Sequence, residues 1–139
     1  MSAINPLGRL FDLATSATTS NARVPLRNAS GVTFVLIGAT SGNATIQEHN
    51  AATSGTSQNL ATITEYWTKA SGVWTRVTQA AAATVTAATG GLLAVFVPAG
   101  ALSDGFTHVS ISHASGSFVY ILSDLNVGRK PANLASTAS

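Results

Sequence analysis

The 139-residue chain has no cysteine, which removes disulfides, thiolate metal sites and a cysteine nucleophile together. It is also poor in charge. Asp, Glu, Lys and Arg make up 9% of the residues, where about 25% is usual. The net charge of +2 is small and scattered, too thin a footprint for phosphate-driven binding to nucleic acid. No stretch approaches the roughly 18 consecutive apolar residues that a membrane span requires. The opening Met1-Ser2-Ala3-Ile4-Asn5 has neither a basic segment nor an apolar core of a secretory signal, so the chain is expected to stay in the cytoplasm or leave by a route without a signal. By size it is one domain, able to bury most of its unfolded surface without staples.

Ala, Thr, Ser and Gly stand where charge is missing. A monomer that must stay soluble alone carries more charge of both signs, so this composition fits a protein that works packed into an assembly.

The clearest local signal is Thr62–Gln79. Ile63, Thr64, Tyr66, Trp67 and Thr68 favour a strand, as do Val73, Trp74, Thr75, Val77 and Thr78, and Ala70-Ser71-Gly72 between them predicts a tight hairpin turn. In the second arm Val73, Thr75 and Val77 share one face, expected to meet a core, while Trp74, Arg76 and Thr78 share the other. Trp67, Trp74 and Arg76 are the candidates for contact with another protein, being of the residue types that dominate interfaces; a tryptophan closing the rim of a sandwich is the plainer alternative.

Short strands are expected over Arg23–Asn28, Val32–Ile37, Asn43–His49, Ala83–Ala88, Leu92–Val97, Phe106–His113 and Ser117–Leu122, with a polar loop over Ala51–Asn59. VTFVLI (Val32–Ile37) is apolar on both parities, as a central strand covered on both faces would be. Ser-Gly, Gly-Gly and Asp-Gly pairs punctuate the turns. Eight or nine strands without a long helix predict an all-β fold, a single antiparallel β-sandwich of jelly-roll or Ig-like type, with extended arms at both ends. The domain is placed at residues 22–123. The N-terminal arm, 1–21, carries an apolar tip in which Leu7, Leu10 and Phe11 are spaced as one face of a helical turn. The C-terminal tail, 124–139, carries a small positive patch, Arg129-Lys130. Leu10, Phe11, Arg129 and Lys130 join the candidate contact residues.

Chemistry-bearing motifs are missing. The five acids are not spaced as a glycosidase pair or clustered as a calcium loop. His49, His108 and His113 do not form a zinc pattern and are expected at the surface or at a subunit contact. There is no GxSxG elbow and no phosphate loop. The expectation is no enzyme, no catalytic or metal-binding residues and no cofactor.

The run ITEYWTKASGVWTRVTQAAAATVTAATGGLLAVFV, with LSDGFTHVSISHASGSFVYIL, the segment Glu48–Leu60 and the tail Arg129–Leu134, resembles small structural proteins encoded by tailed bacteriophages of actinobacteria, over Arg23 to Leu134. These motifs carry no known chemistry. The resemblance implies a virion component of minor capsid, decoration or cement type on the capsid exterior, assembled in the host cytoplasm. It implies the major capsid protein as partner and a homo-oligomer, with a trimer favoured, and neither membrane nor nucleic acid as partner. A tail or head–tail joining subunit is one alternative reading. Another is a carbohydrate- or receptor-binding module using Trp67 or Trp74 as a stacking platform.

Overall fold

A computed structural model describes residues 11–17 and 22–125. It is an antiparallel β-sandwich of eleven strands: β1 (Phe11–Ala17), β2 (Val24–Pro25), β3 (Gly31–Ile37), β4 (Gly42–His49), β5 (Ser57–Asn59), β6 (Ile63–Ala70), β7 (Val73–Ala82), β8 (Thr84–Ala87), β9 (Leu92–Pro98), β10 (His108–Ser112) and β11 (Ser117–Ser123). A single short 3-10 turn, Ala99–Ala101, is the helical element among the described residues. The larger sheet runs β1-β11-β3-β9-β6-β7. The smaller runs β2-β10-β4-β5, with β8 also paired to β4. All pairings are antiparallel.

The core follows from period-2 alternation. Val32, Phe34 and Leu36 of β3, Leu93, Val95 and Val97 of β9, and Phe118, Tyr120 and Leu122 of β11 turn inward from the larger sheet and are buried. They meet Val24, Ala44, Ile46, Val85, Val109 and Ile111 from the smaller sheet. Phe34 and Phe118 pack edge to face at 5.6 Å between centroids, the arrangement that ring quadrupoles favour. Tyr66 of β6 spans the layers, its hydroxyl accepting from Thr86 N–H of β8 at 3.3 Å.

Two expectations change. Residues 11–17, assigned to an arm, form an edge strand paired with β11 along all seven residues, from Phe11 opposite Ser123 to Ala17 opposite Ser117. Phe11 is therefore in a strand and not a helical turn. Backbone pairing stabilises this segment, whose composition gives little apolar signal. The rest of the expected arm, Leu7 and Leu10 included, and most of the expected tail, Arg129 and Lys130 included, lie outside the described residues. Second, β3 is central in its sheet, between β11 and β9, but is covered on one face alone. Ile37 is 39% exposed.

Candidate interaction face

In a strand every second side chain crosses to the far side, and the pairing registers align these outward residues into one surface on the larger sheet. Leu13 stands opposite Ile121, Val119 opposite Val35, Ile37 opposite Leu92, Thr33 opposite Phe96, and Ala94 opposite Trp67. Trp67 is opposite Arg76, and Lys69 is opposite Trp74. Among the described residues the large exposed hydrophobics are Leu13, Ile37, Trp67, Val73, Trp74 and Phe96, between 39% and 66% exposed. Five of these six lie on this one face, Val73 being the exception. An apolar surface of this continuity is unusual on a monomer, whereas single exposed hydrophobics need no explanation.

Local contacts hold the face in shape. The Phe96 ring lies over Gly31, where a Cβ would come within 2.5 Å of it, so the glycine leaves the notch that seats the ring. Lys69 Nζ lies 5.7 Å from the Trp74 ring centroid, in range for a cation–π contact. Arg76 Nε donates to Glu65 Oε2 at 2.8 Å, and its Nη2 donates to the same oxygen. This exposed pair orients side chains more than it stabilises the fold.

β6 and β9 pair only from Trp67 to Lys69. Beyond Trp67 a half-open cleft of about 260 Å³ lies between the strands, with Glu65, Trp67, Phe96 and Pro98 among its walls.

Trp67, Trp74 and Arg76 are thus brought together, as the hairpin alternation predicts for Trp74 and Arg76. The Val73, Thr75 and Val77 face departs from its expectation. Val73 and Thr75 are exposed and Val77 is only half-buried, because β7 is the edge strand and its start extends past the core. Phe11 opens β1, at the opposite edge of the sheet.

The outer face of the smaller sheet is different in kind. It presents Asn43, Thr45, Gln47, His49, Ser57, Asn59, Thr84, Thr86, His108, Ser110 and Ser112. Here the histidine expectation is corrected: His49 is fully buried, His113 is buried and His108 is half-buried. The loop from Asn50 to Thr56 joins His49 to Ser57. Arg23 holds that loop, donating to Ala51 O at 2.9 Å, Ser54 O at 2.6 Å and Ser57 Oγ at 3.2 Å. His49 Nδ1 lies 2.7 Å from Ser57 Oγ and Nε2 lies 2.7 Å from Ser110 Oγ, so both ring nitrogens are satisfied. Burial, then the positive fields of Arg23 and His108, push the His49 pKa down to about 4, against a weaker opposing effect of Glu48. His108 is also held below its ordinary value, by burial and by Arg23 and Arg27.

Glu48, on the inward side of the same strand, is buried. It accepts from Ser103 N–H at 2.7 Å, Ser103 Oγ at 2.6 Å and Gln58 Nε2 at 2.5 Å. Burial alone would raise its pKa. The Ser103 hydroxyl, the Gln58 amide, the Ser103 N–H and the His49 charge outweigh that and hold it below the usual carboxylate value. The carboxylate fastens the β9–β10 connection to β4. Sequence reasoning missed this cluster, whose one visible sign is an acid and a histidine ending an otherwise apolar-anchored strand. Its polar atoms are engaged in holding loops, and among the described residues no three His, Cys, Asp or Glu side chains are grouped to hold a metal.

No protein-family model, curated protein or solved structure matches the chain.

Proposed function

We propose that the protein is a structural subunit of a tailed-phage particle, of minor capsid or decoration type, which binds the major capsid protein through the outer face of its larger sheet and stabilises the shell. The observation that supports this reading is the gathering of Leu13, Ile37, Trp67, Trp74 and Phe96 on one sheet face. The sequence resemblance and the low charge support it as well. A shell subunit needs a broad, weakly charged contact whose energy comes from apolar burial at roughly 25 cal/mol per Å². Many copies on one lattice then let individually weak contacts act together.

The test is quantitative mass spectrometry of purified particles, with Phe96→Lys and Trp67→Lys compared with the wild type. The expected result is a copy number in simple ratio to the major capsid protein, and loss of both variants from particles while each still melts as a folded domain. Absence of the wild-type protein from particles overturns the proposal. The cleft beside Trp67 and Phe96 favours one second reading, a sugar-stacking platform. Trp67→Ala retained in particles but lost from host glycan would support that reading instead.

A further inference from the structure

The hairpin turn fixes which edge of β7 is open. Ala70 stands opposite Val73, leaving a two-residue loop of Ser71 (φ 54°) and Gly72 (φ 84°). Two positive φ values in succession make this a type I′ turn, in which Ala70 C=O accepts from Val73 N–H. Val73 therefore directs its backbone groups at β6, and so do Thr75 and Val77. Trp74, Arg76 and Thr78 direct theirs away from the sheet. Nothing pairs with that side of β7 among the described residues. Beyond Thr78 the strand is irregular: Glu65 pairs with Thr78 but Ile63 with Ala82. Gln79 caps the irregularity by donating to Ile63 O at 3.0 Å and Thr84 O at 2.9 Å. Val73–Thr78 is thus a regular open edge, bounded by a turn and a bulge. It has no proline and one charged side chain, which its own chain neutralises through Glu65. Natural edges are usually blunted, and this one is not.

We propose that a second copy of the chain adds to this edge, β7 pairing antiparallel with β7 of its partner about a two-fold axis through Thr75. The axis stands perpendicular to the sheet, so residues facing one another must be of equal parity. Registers centred on Trp74, Thr75, Arg76 and Val77 satisfy that within the open stretch, the last pairing only Arg76, Val77 and Thr78. One sets Arg76 against itself, placing like charges opposite, which is unfavourable. A second sets Trp74 against itself and pairs only Val73 to Thr75 within the edge. The third centres on Thr75 and pairs Val73 through Val77. It places Trp74 opposite Arg76 twice, on the outer face, where guanidinium over indole is favourable. It also sets the exposed Val73 against Val77. The result is one continuous sheet of twelve strands, twice the six in the larger sheet. The two-fold differs from the trimer that the resemblance implies, and it does not depend on the particle reading.

The absence of native cysteine makes the test clean. Thr75→Cys, Arg76→Cys and Thr78→Cys are made singly in the full chain, and mild oxidation is followed on non-reducing gels, beside sedimentation of the wild type. Thr75 faces itself at a non-hydrogen-bonded site, with Cα atoms about 4.5 Å apart, within disulfide range. The expected results are a wild-type dimer, rapid cross-linking of Thr75→Cys alone, and a dimer about tenfold weaker in Trp74→Lys, which puts like charges opposite twice. Thermal melting shows that each variant is folded. A wild type that remains monomeric, an oligomer of another order, or Arg76→Cys or Thr78→Cys cross-linking as fast as Thr75→Cys overturns the proposal.

Discussion

Acidification should unlock the covered histidine before it touches the buried carboxylate. His49 is fully buried and neutral, with a pKa of about 4 against 6.5 in an unfolded chain. Above pH 6.5 neither state holds the proton and the stability is whole. As pH falls from 6.5 toward 4, the unfolded chain binds a proton at His49 that the native chain refuses. Stability therefore drops at up to ~1.4 kcal/mol per pH unit, ~3 kcal/mol in all. This is a large share of the 5–15 kcal/mol that typically separates folded from unfolded. His108, shifted the same way, adds to the slope. Glu48 works in a lower window. Its pKa is below the ordinary 4.5, so its contribution is complete above pH 4.5 and is lost only as pH falls through its folded value. Urea unfolding at several pH values from 7 to 4.5 isolates the histidines. His49→Gln keeps a polar group beside Ser110 and removes the titration, so its stability should vary with pH much less than that of the wild type, whatever its absolute value. Equal slopes for the two proteins over this window would refute the assignment.

Two other substitutions follow from the same corner of the sandwich. Glu48→Ala removes the charged acceptor of three hydrogen bonds from Ser103 and Gln58 and should cost about 3 kcal/mol in chemical denaturation, with Glu48→Gln intermediate, because hydrogen bonds to a charged group are the stronger ones. Arg23→Ala removes three hydrogen bonds, two to the 50–56 loop at Ala51 and Ser54 and one to Ser57. Hydrogen exchange of residues 50–57 should then quicken at least about tenfold while the core strands change little, the mark of local opening.

How far the fold could be read from the chain depends on where each side chain's neighbours come from. The hairpin was legible because its strands, turn and register are all local. The turn is one residue tighter than expected, Ala70 belonging to β6. The central place of β3 was legible from VTFVLI, but the cover over its second face was not. Apolar residues on both parities say that both faces avoid water, and they do not say whether this chain or another supplies the cover. β1 escaped notice because its inward residues include Ala14 and Ser16, too small to sound an alternation. His49 was misplaced for a related reason. Its partners, Ser57 and Ser110, arrive from two neighbouring strands, and no pattern of hydropathy marks a histidine paired to serines 8 and 61 positions away. Of the contact candidates, Trp67, Trp74 and Arg76 share one face; that Phe96, Ile37 and Leu13 join them emerged only from the registers.

Strand order also governs when this protein can exist. β11, the last strand among the described residues, is inserted between β3 and β1, the first of them. Successive strands are sheet neighbours only in β4–β5 and β6–β7. A nascent chain can therefore form two hairpins early, but the larger sheet stays split, with β1 detached, until Ser117–Ser123 has left the ribosome. During that interval the edge of β3 that β11 will occupy is open, and Phe118, Tyr120 and Leu122 are missing from the core. The period before β11 emerges is thus the one of greatest risk for aggregation, and its pairing on both sides is what joins β1 to the sheet.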